Sequence, residues 1–236
     1  MKYIEHIVEP DRLLLSWQAP RGSNNRMRMF VGEIIRTDND ADLRYLTNTK
    51  DFETARESGF ENYPGYLIQA PVHKDVLVSF LKRIPPRSRK DFDRFLNSLR
   101  INPGMKDQVS DFALLGYSRA SLPSDEFTLI HPFSNAVPPF EFLTPVQGYE
   151  YYLDNVPYES LAEGLDVTFA PEPNNPKDSN AIRMLIQGKT IGYVCRGLLD
   201  AFHQWQEHGF RISASIERIN GTPEDPKLFV FISVLQ

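Results

Sequence analysis

Alternation of hydrophobic and polar positions predicts β-structure near the start of the chain. The period-two pattern of a half-buried strand occurs in three segments, at residues 12–18, 28–36 and 43–46. Residues 20–27 are rich in glycine, asparagine and proline, which predicts a loop between the first two strands. Apolar residues at helical spacing then predict helices at residues 51–60, 74–84 and 88–101.

Helix-breaking and capping residues support these helix boundaries. Gly59 is a typical stop for the first helix, Pro85-Pro86 should end the second, and Ser88 should cap the third. Two further apolar segments, at residues 110–120 and 125–133, lead into a proline-rich stretch at 134–145. We place a domain boundary in this stretch, which gives a first domain of residues 1–140 and a second of 141–236.

The second domain is predicted to be a small β-barrel. Short apolar segments bounded by turn signals predict strands at residues 148–153, 165–172, 182–187, 190–195, 211–219 and 227–235. The segment 196–210 has the pattern of a single helix. The fold class expected for the whole chain is therefore α+β, with a sheet-and-helix module followed by a barrel.

Composition is typical of a folded protein of a reducing compartment. Hydrophobic residues make up 41% of the 236 residues, which suffices for real cores. The apolar runs are shorter than the roughly 18 residues that a membrane span requires, and the N-terminus is too acidic for a signal peptide. Cys195 is the single cysteine, so an internal disulfide is impossible. We expect a cytoplasmic protein without membrane contact.

Charge is distributed unevenly between the two parts of the chain. Residues 146–236 hold seven basic and twelve acidic residues, whereas residues 1–145 hold nineteen of each. Neither part has the basic excess of a protein that grips long stretches of phosphate backbone. Any contact with nucleic acid is therefore expected to be short and local.

The sequence shows no recognisable catalytic or metal-binding motif. Residues 188–190, Gly-Lys-Thr, lack the preceding glycine of a phosphate-binding loop and are better explained as a hairpin turn. The five histidines are scattered, and His203 and His208 are five residues apart, which is the wrong spacing for a zinc pair on a helix. We therefore expect no enzyme activity, no metal and no cofactor.

The segment PEPNNPKDSNAI, residues 171–182, is predicted to form a rigid loop that leads into a strand. Its prolines fix the backbone, and Asn174, Asn175 and Asp178 favour turns through side-chain to backbone hydrogen bonds. Asp178 could cap its own turn or contact a ligand. The order of GYEYYL, EPNNPKDSNAI and GKTIGYVCR, followed by a helix, resembles the HIRAN domain over about 90 residues.

This resemblance implies a binding site for single-stranded DNA that ends in a free 3′-hydroxyl. Asp178 matches the carboxylate that accepts the terminal hydroxyl and repels a phosphate. Aromatic rings would stack on the terminal bases, and amide and basic groups would contact base edges and phosphates. The residues implied are Tyr151, Tyr152, Asn174, Asn175, Lys177, Asp178, Tyr193 and Arg196.

Two positions depart from the family pattern. Glu150 stands where DNA-binding members have arginine, and Lys177 stands where they have tyrosine. One cation and one ring are thereby lost, although Lys177 could return a phosphate contact. If residues 148–153 form a strand, Tyr151 and Tyr152 point to opposite faces, so one should face the ligand and the other the core.

The N-terminal part is similar to the N-terminal subdomain of HipA-type toxin kinases, whose terminal strand the segment 110–120 would match. The kinase core itself is absent, and a generic supporting module explains the pattern equally well. Basic residues cluster between positions 82 and 94 around Pro85-Pro86, and we expect Arg87, Arg89 and Lys90 to bind a protein partner.

Two functions therefore remain open at the level of the sequence. In the first, the second domain recognises single-stranded DNA ends and the first domain recruits a partner such as a helicase or nuclease. In the second, the chain is an antitoxin-like regulatory factor that restrains a HipA-like kinase in trans, and the barrel does not bind DNA.

Overall fold

The computed structural model describes residues 2–20, 22–23, 27–122 and 125–236. Arg21 and residues 24–26, which belong to the predicted loop 20–27, lie outside the described residues. The chain divides into two compact units. The five-stranded unit comprises residues 8–99 and 103–135, and the two-sheet unit comprises the chain up to residue 7, residues 100–102 and residues 136–236.

The five-stranded unit is built on one antiparallel sheet. Its strands are β1 (Arg12–Gln18), β2 (Arg28–Arg36), β3 (Ala41–Tyr45), β4 (Val72–His73) and β5 (Phe127–Ile130), in the order β4-β3-β2-β1-β5. The predictions for β1, β2 and β3 are confirmed. In β1 and β3 the alternating pattern corresponds to burial of alternate residues such as Leu13, Leu15 and Leu43, whereas β2 buries residues 31–34 in succession.

Among the described residues of this unit, four short α-helices accompany the sheet, namely α1 (Lys50–Glu57), α2 (Leu77–Leu81), α3 (Phe92–Ser98) and α4 (Asp111–Tyr117). Thr49 caps α1 by accepting a hydrogen bond from the amide of Phe52, and Ser110 caps α4 in the same way. Gly116 of α4 allows the helix to lie close to β1, since a Cβ there would be 2.7 Å from Leu13 Cδ2.

Three sequence predictions for the helices are corrected. Ser88 does not cap α3, which begins later and has Asp91 at its N-cap position without a side-chain hydrogen bond. Residues 82–84 form a turn rather than the end of α2. Within 110–120, expected to match a terminal strand, residues 111–117 are the helix α4, because Ser110 caps them and their apolar side chains are nearly all buried.

The two-sheet unit contains six strands in two antiparallel sheets of three. The strands are β6 (Phe140–Pro145), β7 (Thr168–Pro171), β8 (Ile182–Ile186), β9 (Lys189–Tyr193), β10 (Arg211–Thr222) and β11 (Asp225–Leu235). One sheet has the order β10-β11-β6 and the other β7-β8-β9. The helix α5 (Leu199–Glu207) packs Phe202 and Trp205 into the core of this unit.

The predicted barrel is not closed by continuous strand pairing within the described residues. Single bridges, Gln147 with Tyr193 and Asp166 with Ser215, connect the two sheets at their edges. The strand β6 lies inside the proline-rich stretch and pairs with β11. The hairpin turn predicted near Gly188 is confirmed, because Gln187 and Gly188 both have positive φ, as a type I′ turn requires.

Residues from two other parts of the chain complete the two-sheet unit. Ile4 forms a parallel bridge with Ile101 and is fully buried. The carboxylate of Glu141 on β6 accepts hydrogen bonds from the backbone amides of Glu5, at 3.0 Å, and His6, at 3.1 Å. The sheet that contains β6 therefore depends on the N-terminal segment. In the described part of the chain, the helices are too short or too polar to cross a bilayer.

Candidate nucleic-acid interface

The tyrosine-rich segment after β6 forms a 3₁₀ turn at Tyr149–Tyr151, not the predicted strand. The alternation expected for Tyr151 and Tyr152 is therefore wrong. The buried member is Tyr149, whose hydroxyl donates to the Val156 carbonyl oxygen at 2.7 Å. Burial, with a contribution from the nearby charge of Glu159, raises the pKa of Tyr149 to about 12. Tyr149 thus anchors the turn, and both following tyrosines remain near the surface.

The two predicted stacking residues differ in exposure. Tyr151 is 79% exposed, one of the most exposed large side chains in the described part of the protein. Tyr152 is half-buried, and its hydroxyl donates to the Tyr193 hydroxyl at 3.0 Å. The rings of Tyr152 and Tyr193 meet edge to face, with centroids 6.0 Å apart. Tyr152 is therefore fixed in orientation, whereas Tyr151 offers a free ring face.

The loop between β7 and β8 is stiffened by its own side chains. The Oδ1 atom of Asn175 accepts from the backbone amides of Lys177, at 2.9 Å, and Asp178, at 3.2 Å. Oδ1 of Asp178 accepts from the amide of Asn180 at 3.0 Å. Asp178 therefore does cap its own turn, which was one of the two interpretations of this residue.

The second carboxylate oxygen of Asp178 faces a cation. Nε of Arg196 lies 3.4 Å from Oδ2 of Asp178, and both side chains are partly exposed. The structure thus brings Asp178 and Arg196 together. Asn174 and Lys177 lie on the same loop and are exposed to solvent.

Glu172 is a member of this site that the sequence analysis missed. Its Oε2 atom accepts from Nδ2 of Asn175 at 2.6 Å and from the Tyr193 hydroxyl at 2.9 Å. Nε of Arg183 lies 3.9 Å from Oε1. The only sequence signal is position, since Glu172 directly follows β7 and precedes Pro173.

The ionisation of this cluster follows from its hydrogen bonds. The bond from Asn175 lowers the pKa of Glu172, and the bond from Tyr193 and the charge of Arg183 lower it further. Burial raises the pKa of Tyr193, and its bonds with Tyr152 and Glu172 add to this effect. Glu172 is therefore a stable anion, and Tyr193 keeps its proton at neutral pH.

The predicted partner-binding residues have different environments. Arg87 donates to Asp111 Oδ1 and to the Val109 carbonyl oxygen, each at 2.6 Å, so it is engaged in the fold instead of pointing freely outward. Arg89 pairs with its neighbour Asp91 at 2.6 Å, and Lys90 is exposed.

Arg83, which belongs to the same basic cluster, is 8% exposed. It binds Asp125 through two hydrogen bonds of 2.6 and 2.9 Å. The exposed basic surface is therefore smaller than the sequence suggests.

Two other side chains that could take part in chemistry, Cys195 and His131, are buried in the fold. His131 accepts from the amide of Phe133 at 3.0 Å and lies 3.1 Å from the Val8 carbonyl oxygen. Among the residues that the structure describes, no three histidine, cysteine, aspartate or glutamate side chains are placed to share a metal ion.

Comparison with known proteins assigns a family to part of the chain. Residues 139–233 match the family model of the HIRAN domain. The matched segment is less than half of the chain and extends from β6 through most of β11. No curated protein matches the chain.

Two solved structures are similar to this protein. The HIRAN domain of human HLTF is 21% identical to this chain, with a TM-score of 0.34. The similarity covers 40% of this chain and 74% of the HLTF domain chain. A protein from Lactobacillus plantarum is also 21% identical, covers 39% of this chain and 91% of its own, and has a TM-score of 0.32.

Proposed function

We propose that this protein is a binding protein, not an enzyme, and that its two-sheet unit recognises single-stranded DNA at a free 3′-hydroxyl end. The match of residues 139–233 to the HIRAN domain supports a nucleic-acid ligand. The observation that carries the proposal is the placement of Asp178, on a loop stiffened by Asn175 and opposite Arg196.

The chemistry of Asp178 suits a terminal hydroxyl. Each carboxylate oxygen has two lone pairs; the amide of Asn180 uses one on Oδ1, and Oδ2 faces Nε of Arg196 in an ion pair at 3.4 Å. A ligand hydroxyl can donate to a remaining lone pair, whereas a phosphate at the same place would be repelled. Arg196, half-buried beside Asp178, is positioned to hold the preceding phosphate.

The exposed ring of Tyr151 supplies a stacking surface for a base. Such stacking contributes roughly 1–3 kcal/mol per base and tolerates any sequence. Tyr152 and Tyr193 form the fixed wall beside it, and Asn174 is free to contact a base edge. Asn175 is held by Glu172 and by the loop backbone, so its role is to shape the loop.

Binding of oligonucleotides to the full chain tests this proposal. Fluorescence anisotropy would compare a single-stranded 3′-hydroxyl end, the same strand with a 3′-phosphate, and a duplex with only a 5′ overhang. We expect the 3′-hydroxyl end to bind most tightly and the 3′-phosphate to bind at least tenfold more weakly. Equal affinity for the three ends would contradict the proposal.

The five-stranded unit is proposed to recruit a protein partner. Arg87, Arg89 and Lys90 are all exposed, but Arg87 is held by Asp111 and Val109, which favours Arg89 and Lys90 as contacts for an acidic surface. The partner classes proposed are a helicase or nuclease that acts on DNA ends, and alternatively a HipA-like kinase restrained in trans. Loss of co-purification with a given partner after Lys90→Glu, with oligonucleotide binding unchanged, is the expected result.

A further inference from the structure

The carboxylate of Glu172 connects three segments of the proposed site. Glu172 directly follows β7. Its Oε2 atom accepts hydrogen bonds from Nδ2 of Asn175 in the loop, at 2.6 Å, and from the hydroxyl of Tyr193 on β9, at 2.9 Å. Through Tyr193 it reaches Tyr152, whose hydroxyl donates to that of Tyr193 at 3.0 Å. The Tyr152 hydroxyl thus donates to Tyr193, and the Tyr193 hydroxyl donates to Glu172.

These bonds leave the Oε2 atom of Glu172 without capacity to contact a ligand. Oε2 already accepts two hydrogen bonds, and Oε1 faces Nε of Arg183 at 3.9 Å. A carboxylate oxygen accepts about two hydrogen bonds, so Oε2 is saturated. The negative charge would also repel the phosphates of a nucleic acid if it acted alone.

We infer that Glu172 is the positioning residue of the end-binding site, which fixes the Tyr152–Tyr193 wall and the Asn175 loop in the arrangement that DNA requires. This inference rests on the proposed function. By orienting Nδ2 of Asn175, Glu172 also sets the direction of Oδ1, which holds the amides of Lys177 and Asp178. The lowered pKa of Glu172 is consistent with a network that favours the anion.

The chain contains a matched control for the charge of Glu172. Glu150 is an exposed glutamate of the same tyrosine segment, and within the described residues it makes no side-chain hydrogen bond or ion pair. Glu150→Gln and Glu172→Gln remove the same charge from the same region. If charge alone matters, both variants should bind a polyanion more tightly, because one repulsive group is lost.

The test measures the affinity of a 3′-hydroxyl single-stranded oligonucleotide for these variants by anisotropy, with melting to confirm the fold. We expect Glu172→Gln to weaken binding about tenfold and Glu150→Gln to leave it equal or tighter. Glu172→Asp should recover part of the loss. Tyr193→Phe should also weaken binding, and its combination with Glu172→Gln should be at most about twofold worse than Glu172→Gln alone. Tighter binding by both glutamine variants would overturn the inference, as would additive losses from Glu172→Gln and Tyr193→Phe.

A second measurement on the ligand-free protein separates failure of this inference from failure of the proposed function. The side-chain amide signal of Asn175 in an NMR spectrum should move toward the position of a solvent-exposed amide in Glu172→Gln. An unchanged Asn175 signal would overturn the inference even if the oligonucleotide binds. A shifted signal in a protein that binds no oligonucleotide would support the network but contradict the proposed ligand.

Discussion

Asp178 and Glu172 hold the candidate site through contacts that differ in their separation along the chain. Asp178 lies within a dense run of turn-forming residues, so its local hydrogen bond to Asn180 follows from residue type. Glu172 acts through Tyr193, which is 21 residues away, and nothing in the spacing of the two residues indicates their contact. Side-chain roles that depend on such distant partners become visible only when the strands are in place.

At the residue scale, two tyrosines of one turn should have separate roles. Tyr151→Ala should leave the melting temperature nearly unchanged because the ring is 79% exposed, and it should weaken oligonucleotide binding by roughly 1–3 kcal/mol. Tyr149→Phe should lower stability by about 1 kcal/mol, because it removes the buried hydrogen bond to Val156, and it should leave oligonucleotide binding nearly unchanged. Melting and anisotropy on both variants check this prediction. A loss of stability in Tyr151→Ala without any loss of binding would contradict it.

His131 should make the protein less stable in weak acid. Burial lowers the pKa of His131 from 6.5 to about 4, so the folded protein holds this ring neutral while the unfolded chain binds a proton first. The stabilisation is complete above about pH 6.5 and is lost as the pH falls toward 4, with a magnitude of up to roughly 3 kcal/mol.

Urea unfolding across this pH range is the measurement for His131. Replacement by a residue that does not titrate, His131→Gln, should lower stability at neutral pH because the packing against Phe133 is disturbed. The same variant should flatten the dependence on pH between 6.5 and 4. An equally steep dependence in the variant would show that other groups cause it.

At the scale of elements, local pattern predicts what local forces determine. The strands β1 to β3 and β8 to β11 and the helices α1 and α5 follow from periodicity and turn signals. The sequence pattern of β6 was obscured by flanking prolines. Its backbone pairs with β11, which lies 80 or more residues later in the chain. The strand predicted at residues 148–153 is wrong because the aromatic composition of this segment favours a strand, whereas Gly148, with φ of +77°, begins a turn.

The N-terminal segment should stabilise the two-sheet unit. Removal of residues 2–7 would take away buried Ile4 and both amide donors of Glu141, which is itself 8% exposed. A buried carboxylate deprived of its donors costs about 1–3 kcal/mol or more, and the loss of Ile4 adds to this. We expect the deletion to lower the melting temperature of the two-sheet unit. Unchanged melting would show that the segment contributes nothing to it.

At the scale of the whole molecule, charge limits the strength of any DNA contact. The chain carries a net charge of −5, and residues 146–236 account for all of it. The cations of the candidate site are few, and Arg183 and Arg196 already face carboxylates. Binding should therefore depend on the end of the strand more than on its length.

The salt dependence of binding checks this limit on charge. We expect the logarithm of affinity to fall with the logarithm of salt concentration at a slope equivalent to about one to three phosphates. The slope should be the same for a short and a long single strand that carry the same 3′ end. A slope that grows with strand length would indicate a long basic groove, which the charge distribution does not support.

Recognition of the terminal hydroxyl by Asp178 is tested most directly by a double-mutant cycle. The affinity of the full chain and of Asp178→Ala would be measured for one oligonucleotide that ends in a 3′-hydroxyl and for the same oligonucleotide with a 3′-deoxy terminus. A hydrogen bond to a charged group contributes about 1.5–3 kcal/mol, so the unmodified protein should prefer the hydroxyl by at least tenfold. That preference should disappear in Asp178→Ala. The same preference in both proteins, or none in either, would contradict the assignment of Asp178 as the group that recognises the 3′ end.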